Sequence, residues 1–87
     1  MTQMNKTNIY QIELQHLRMH DTVYQMNFKE RDAGYGFITT AGHGYLVVPK
    51  DDKNYEMAKS ICQYGYKGDH AIYLEEDCEW NEFMGKI

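Results

Sequence analysis

A chain of 87 residues fits one domain, and a domain this small leaves about a third of its unfolded surface exposed, so a surface-acting function is expected rather than a deep catalytic cleft. Hydrophobic residues at 43% and charged residues at 25%, with one proline, place it among globular chains and exclude a disordered one. The net charge of −4 is uneven: residues 1–50 carry five basic and four acidic side chains, and residues 51–87 carry four basic and nine acidic, which disfavours direct nucleic-acid binding and favours a partner with a basic surface.

Residues 1–6 are polar and expected to be a flexible N-terminus, with a single α+β domain over 7–87. No apolar run is longer than the four residues of Tyr45-Leu46-Val47-Val48, far short of the ~20 residues of a membrane span. The N-terminus has no basic start followed by an apolar run, so the expected setting is the cytoplasm, with Cys62 and Cys78 reduced.

From Ile9 the chain alternates, with Tyr10, Ile12 and Leu14 opposite Gln11, Glu13 and Gln15. That is the period of a half-buried strand. The residue types also tolerate a helix, so residues 8–18 stay open between the two, with strand preferred. His20-Asp21-Thr22 is expected as a turn, Val23 to Phe28 as a strand, and Lys29 to Gly34 as a charged loop.

Tyr35 to Thr40 and Tyr45 to Val48 are β-rich runs around Ala41-Gly42-His43-Gly44, the pattern of a hairpin closed by Pro49. Asp51-Asp52 supplies carboxylates to cap a helix. Tyr55, Ala58, Ile61 and Cys62 then share one helical face, and Gly65 offers a stop. Tyr66 to Asp69 is expected as a loop and Ala71 to Leu74 as the last strand. Asp77 could cap a short helix over Cys78 to Met84, with Trp80, Phe83 and Met84 facing the sheet. The expected fold is α+β: a small antiparallel sheet of four to five strands, one central helix and a short C-terminal helix.

Four constellations could carry chemistry. His43 sits between two glycines, which leaves its imidazole unobstructed for acid, base or ligand work; the glycines also serve a turn. His43, Cys62, His70 and Cys78 are potential metal ligands, as are His16 and His20. They lack the paired spacing of structural zinc sites, so no metal or cofactor is expected. Cys62 lies on a core face, and Cys78 is flanked by acids that suppress its thiolate, so neither is an activated nucleophile.

The fourth is the acidic run Glu75-Glu76-Asp77 with Glu79 and Glu82. It either keeps the domain soluble or meets a basic groove on a partner. In the second case Trp80 and Tyr45 are the expected anchors, since contact hot spots favour Trp and Tyr.

Residues 34–49, Gly34 to Pro49 with Thr40-Ala41-Gly42-His43-Gly44-Tyr45 at the centre, and Tyr73-Leu74-Glu75-Glu76-Asp77-Cys78-Glu79-Trp80 resemble small uncharacterised domains of phages and other bacterial mobile elements. The resemblance covers residues 34–83. It implies an inhibitor of host defence, such as an anti-CRISPR protein that fills a nuclease's basic nucleic-acid channel. It brings no catalytic residues.

The leading expectation is therefore a non-enzymatic binder, monomer or homodimer, that contacts a basic host protein through Glu75, Glu76, Asp77, Glu79, Trp80, Glu82, His43 and Tyr45. The alternatives are a small metal-dependent or histidine-based enzyme built on His43 with Glu75, Glu76 or Asp77, and a dimeric small-ligand sponge.

Overall fold

The computed structural model describes residues 6–18, 27–30, 34–40 and 42–87, with side chains described from residue 9 onward except in 27–30. The elements in chain order are α1 (Lys6–Leu17), β1 (Asn27–Glu30), β2 (Gly36–Thr40), β3 (His43–Pro49), α2 (Tyr55–Ile61), β4 (Tyr66–Lys67), β5 (Ala71–Glu75) and α3 (Glu79–Lys86). The five strands form one sheet in the order β1-β2-β3-β5-β4, with every neighbouring pair antiparallel. The α+β expectation holds.

The sheet is covered on both faces. Phe37, Leu46, Val48, Ile72 and Leu74 pack on one side with Ala58, Ile61 and Cys62 of the α2 region and Phe83 of α3. Ile38, Tyr45, Val47, Ala71 and Tyr73 pack on the other with Tyr10 and Leu14 of α1. Successive strand residues face opposite sides. Two covered faces therefore demand uninterrupted apolar runs, which Tyr45–Val48 and Ala71–Leu74 supply.

The expected strand at 9–15 is a helix. Tyr10, Leu14 and Arg18 are buried while Ile12 is 47% exposed, so the stripe repeats every four residues rather than every two. The alternation at Tyr10, Ile12 and Leu14 was coincidental, and the helix-tolerant residue types decided the outcome.

The expected turn at 20–22 and most of the strand at 23–28 lie outside the described residues. Asn27 and Phe28 are in β1, and so are Lys29 and Glu30, which were expected in a loop. Pairing with Gly36–Thr39 supplies their backbone partners.

The hairpin is present, with β2 and β3 in the register Thr40↔His43 and Ile38↔Tyr45. His43 is not the middle of a turn but the first residue of β3. Gly42 has φ +93°, the left-handed conformation for which glycine is suited. Gly44 serves a different need: a Cβ there would lie 2.6 Å from Phe37 Cζ and collide with the Glu76 carboxylate.

Asp51 and Asp52 do not cap α2; Asn54 occupies that position, without a side-chain cap. Asp52 instead accepts the Asn54 backbone N–H at 2.9 Å and the Tyr35 hydroxyl at 2.7 Å. This Asx turn ties the helix entrance to the sheet. The α2 helix spans only the seven residues Tyr55–Ile61. It ends because Cys62 turns extended, at φ −67° and ψ 113°, before Gly65 is reached. Two residues of the expected 66–69 loop form β4. The last helix starts at Glu79 and runs through Gly85, with Phe83 buried and Trp80 and Met84 packed beside it. Among the described residues no helix is long and apolar enough to cross a membrane.

Candidate functional site

One end of the sheet gathers most of the residues singled out in the sequence. Tyr45 pairs with Glu75 across β3 and β5, and the Glu76 N–H donates to the Gly44 carbonyl at 3.0 Å. The β2–β3 turn with His43 and the β5–α3 turn with Glu75, Glu76, Asp77 and Cys78 therefore sit side by side. Asp77 and His43 are exposed there, and Glu75 and Glu76 are half-buried. The Glu75 carboxylate accepts the Asp77 N–H at 2.8 Å, which fixes the turn. Glu82 is exposed one turn along α3, 3.8 Å from Lys86, a surface pair of small energetic value.

Three of the proposed contact residues are not displayed there. Glu79 is only 3% exposed, and its carboxylate is committed to the backbone. Oε2 accepts the N–H of Gln63 at 2.5 Å and that of Tyr64. Oε1 accepts those of Gly65 at 3.0 Å and Glu75 at 3.1 Å. A buried carboxylate is tolerable when charge-assisted bonds of this kind replace its water. Its place in the first turn of α3 adds the favourable helix dipole.

Tyr45 is 4% exposed and faces α1, with the Arg18 guanidinium 5.4 Å from its ring centroid. Trp80 packs on Phe37 with centroids 5.5 Å apart, so it is a half-buried residue at the margin of the core. Sequence charge could not separate Glu79 from Glu75 or Asp77. The apolar spacing Glu79, Phe83 is the signal that placed it on the inward face.

Strand pairing brings His43 to the same end as Glu75 and Glu76, where the Glu75 carboxylate is engaged with backbone. Glu75 holds Asp77 N–H, and Glu76 lies against Gly44. The scattered His43, Cys62, His70 and Cys78 do not converge: among the described residues no group of three or more His, Cys, Asp or Glu side chains could hold a metal. Both cysteines are free thiols, Cys62 buried and Cys78 exposed. Burial first, and then the Glu79 charge, push the Cys62 thiol up to about 11, so at neutral pH it is an inert hydrophobe.

Two features were not foreseen. Tyr64 is 71% exposed on the turn that Glu79 holds, next to the acidic end. Its position beyond the α2 stripe and before Gly65 was the available clue. The second lies on the other side of the molecule. A groove of about 450 Å³ runs between α1 and the 67–70 turn, with Ile9, Ile12 and Leu17 on one wall and Lys67, Asp69 and His70 on the other. Glu13 closes its floor by accepting the N–H groups of Asp69 at 2.6 Å and His70 at 3.0 Å and the Tyr73 hydroxyl at 2.7 Å.

Comparisons of the chain with protein-family models, with curated proteins and with solved structures find no match.

Proposed function

We propose that the protein is a non-enzymatic binder whose acidic sheet end occupies a basic, nucleic-acid-binding groove of a host protein. The observation that supports this is the joining of the β2–β3 and β5–α3 turns by the Glu76–Gly44 hydrogen bond. It sets Glu75, Glu76, Asp77 and His43 at one end of the sheet, with Glu82 one helical turn along α3. Carboxylates spaced along a rigid edge suit a groove that otherwise receives phosphates. The resemblance of residues 34–83 to mobile-element domains makes a defence nuclease of the kind targeted by anti-CRISPR proteins the partner to test first.

The test begins with capture of partners from a bacterial lysate and purification of the captured protein. The expected result is that the chain displaces nucleic acid from that partner, and that the double variant Asp77→Lys, Glu82→Lys loses displacement at least tenfold. Both positions are exposed, so the fold should survive, as far-UV circular dichroism would verify. Undiminished displacement by the double variant would count decisively against the reading.

A further inference from the structure

Seven tyrosines have described side chains, and six of them are buried or half-buried; Tyr64 alone is exposed, at 71%. A single exposed apolar side chain is ordinary. What sets Tyr64 apart is the expense of its support. Three consecutive backbone N–H groups, of Gln63, Tyr64 and Gly65, donate to the buried Glu79 carboxylate. Gly65 lies so close to the Tyr73 backbone carbonyl that a Cβ would overlap it. The turn is therefore held from both sides while the ring it carries is given to solvent. Ordering a loop on binding costs free energy, and here that ordering precedes binding.

The same carboxylate accepts the Glu75 N–H, so the backbone of Tyr64 and the start of the acidic turn meet at its two oxygens. An exposed aromatic ring at the same sheet end as the half-buried Glu75 and the exposed Asp77 has a definite complement. A guanidinium is planar, stacks on aromatic rings and pairs with carboxylates, whereas an ammonium is a compact and strongly hydrated charge.

The geometry points to Tyr64 as the anchor of the contact: its ring receives an arginine side chain of the partner protein, with Glu75 and Asp77 flanking the charge. This rests on the proposed binding of a basic protein surface and names the group on that surface. It also moves the aromatic anchor from Trp80 and Tyr45, which the core consumes, to a residue that is free to touch a partner.

Oligoarginine and oligolysine peptides of equal length serve as probes, titrated at low ionic strength against the wild-type chain, Tyr64→Ala, Tyr64→Phe and Glu75→Gln/Asp77→Asn. The expected result is that the wild type prefers oligoarginine about three- to fivefold, the scale of an exposed cation–π contact. Tyr64→Ala should abolish that preference while leaving oligolysine affinity unchanged, and Tyr64→Phe should retain it. The carboxylate variant should weaken both peptides. A preference that survives in Tyr64→Ala overturns the arginine assignment and leaves the acidic surface standing. Failure of both peptides to bind the wild type overturns the two together.

Discussion

Two glutamates fasten the β4–β5 hairpin, one at each end, and they do it in different surroundings. Glu79 comes from α3, is 3% exposed, and accepts four backbone N–H groups from two segments. Glu13 comes from α1, is half-buried beside a groove, and accepts the N–H groups of Asp69 and His70 and the Tyr73 hydroxyl. The chemistry is the same, a carboxylate closing a set of donors. The surroundings decide the value: water can reach the Asp69 and His70 N–H groups when the Glu13 carboxylate is removed, and it cannot readily reach the donors around the buried Glu79. A buried donor left without an acceptor costs its full desolvation.

Removing Glu79 should therefore have the largest effect. Glu79→Ala is expected to cost about 3–5 kcal/mol, a large part of the roughly 5–10 kcal/mol that holds a domain of this size together. Urea denaturation would measure it. Glu79→Gln should cost less, because one carbonyl oxygen still accepts. A loss under about 1 kcal/mol in Glu79→Ala, the net value of an ordinary hydrogen bond, would mean that the four bonds do not act together. Gly65→Ala probes the same end from the backbone. Its Cβ must displace the Tyr73 carbonyl, and about 2–4 kcal/mol is expected for strain of that kind.

Glu13→Ala should be milder, about 1–2 kcal/mol, and local. Amide exchange in α1 should accelerate while β3 and β5 stay protected, because the other face keeps its own core of Phe37, Leu46, Leu74 and Phe83. Equal acceleration across the sheet would show that the two faces unfold as one unit and that the comparison between the clasps is one of degree only.

The cysteines give a test that depends on pH. Cys62 is raised from the ordinary 9.0 to about 11, so the folded state favours the protonated thiol. The associated stability is fully present below pH 9 and is lost as pH rises through about 11. At neutral pH a thiol reagent should label Cys78 rapidly and Cys62 only on unfolding. Rapid labelling of both in the native protein would contradict the burial of Cys62 under the sheet.

The sequence was most legible where one physical demand acted alone. Tyr45–Val48 and Ala71–Leu74 could only be strands, since four apolar residues in a row next to turn residues leave little else. Phe83 and Trp80 read correctly as inward. It was least legible where charge had two uses. Asp52, Glu79 and Glu13 all looked like solvated acids or caps, yet each accepts backbone N–H groups from its own turn or from residues distant in sequence. Nothing local to a carboxylate reveals which donors tertiary structure will bring to it. The acidic half of the chain therefore contains a displayed set, Asp77 and Glu82, a consumed one, Asp52 and Glu79, and the half-buried Glu75, whose carboxylate holds the Asp77 N–H.

The smallest expected effect bears on the element that the alternation misplaced. As a strand, residues 9–15 would bury Tyr10, Ile12 and Leu14 together. As a helix they bury Tyr10 and Leu14, at 8% and 0% exposure, and leave Ile12 at 47%. Leu14→Ala should then cost about 2–4 kcal/mol, since it opens a cavity against Val47 and Tyr73. Ile12→Gln should change stability by no more than about 0.5 kcal/mol, and glutamine's better helix propensity works in its favour. Equal losses at the two positions would restore a period of two to this segment. A large loss at Leu14 beside none at Ile12 would fix α1 as the helix that Glu13 fastens to the sheet.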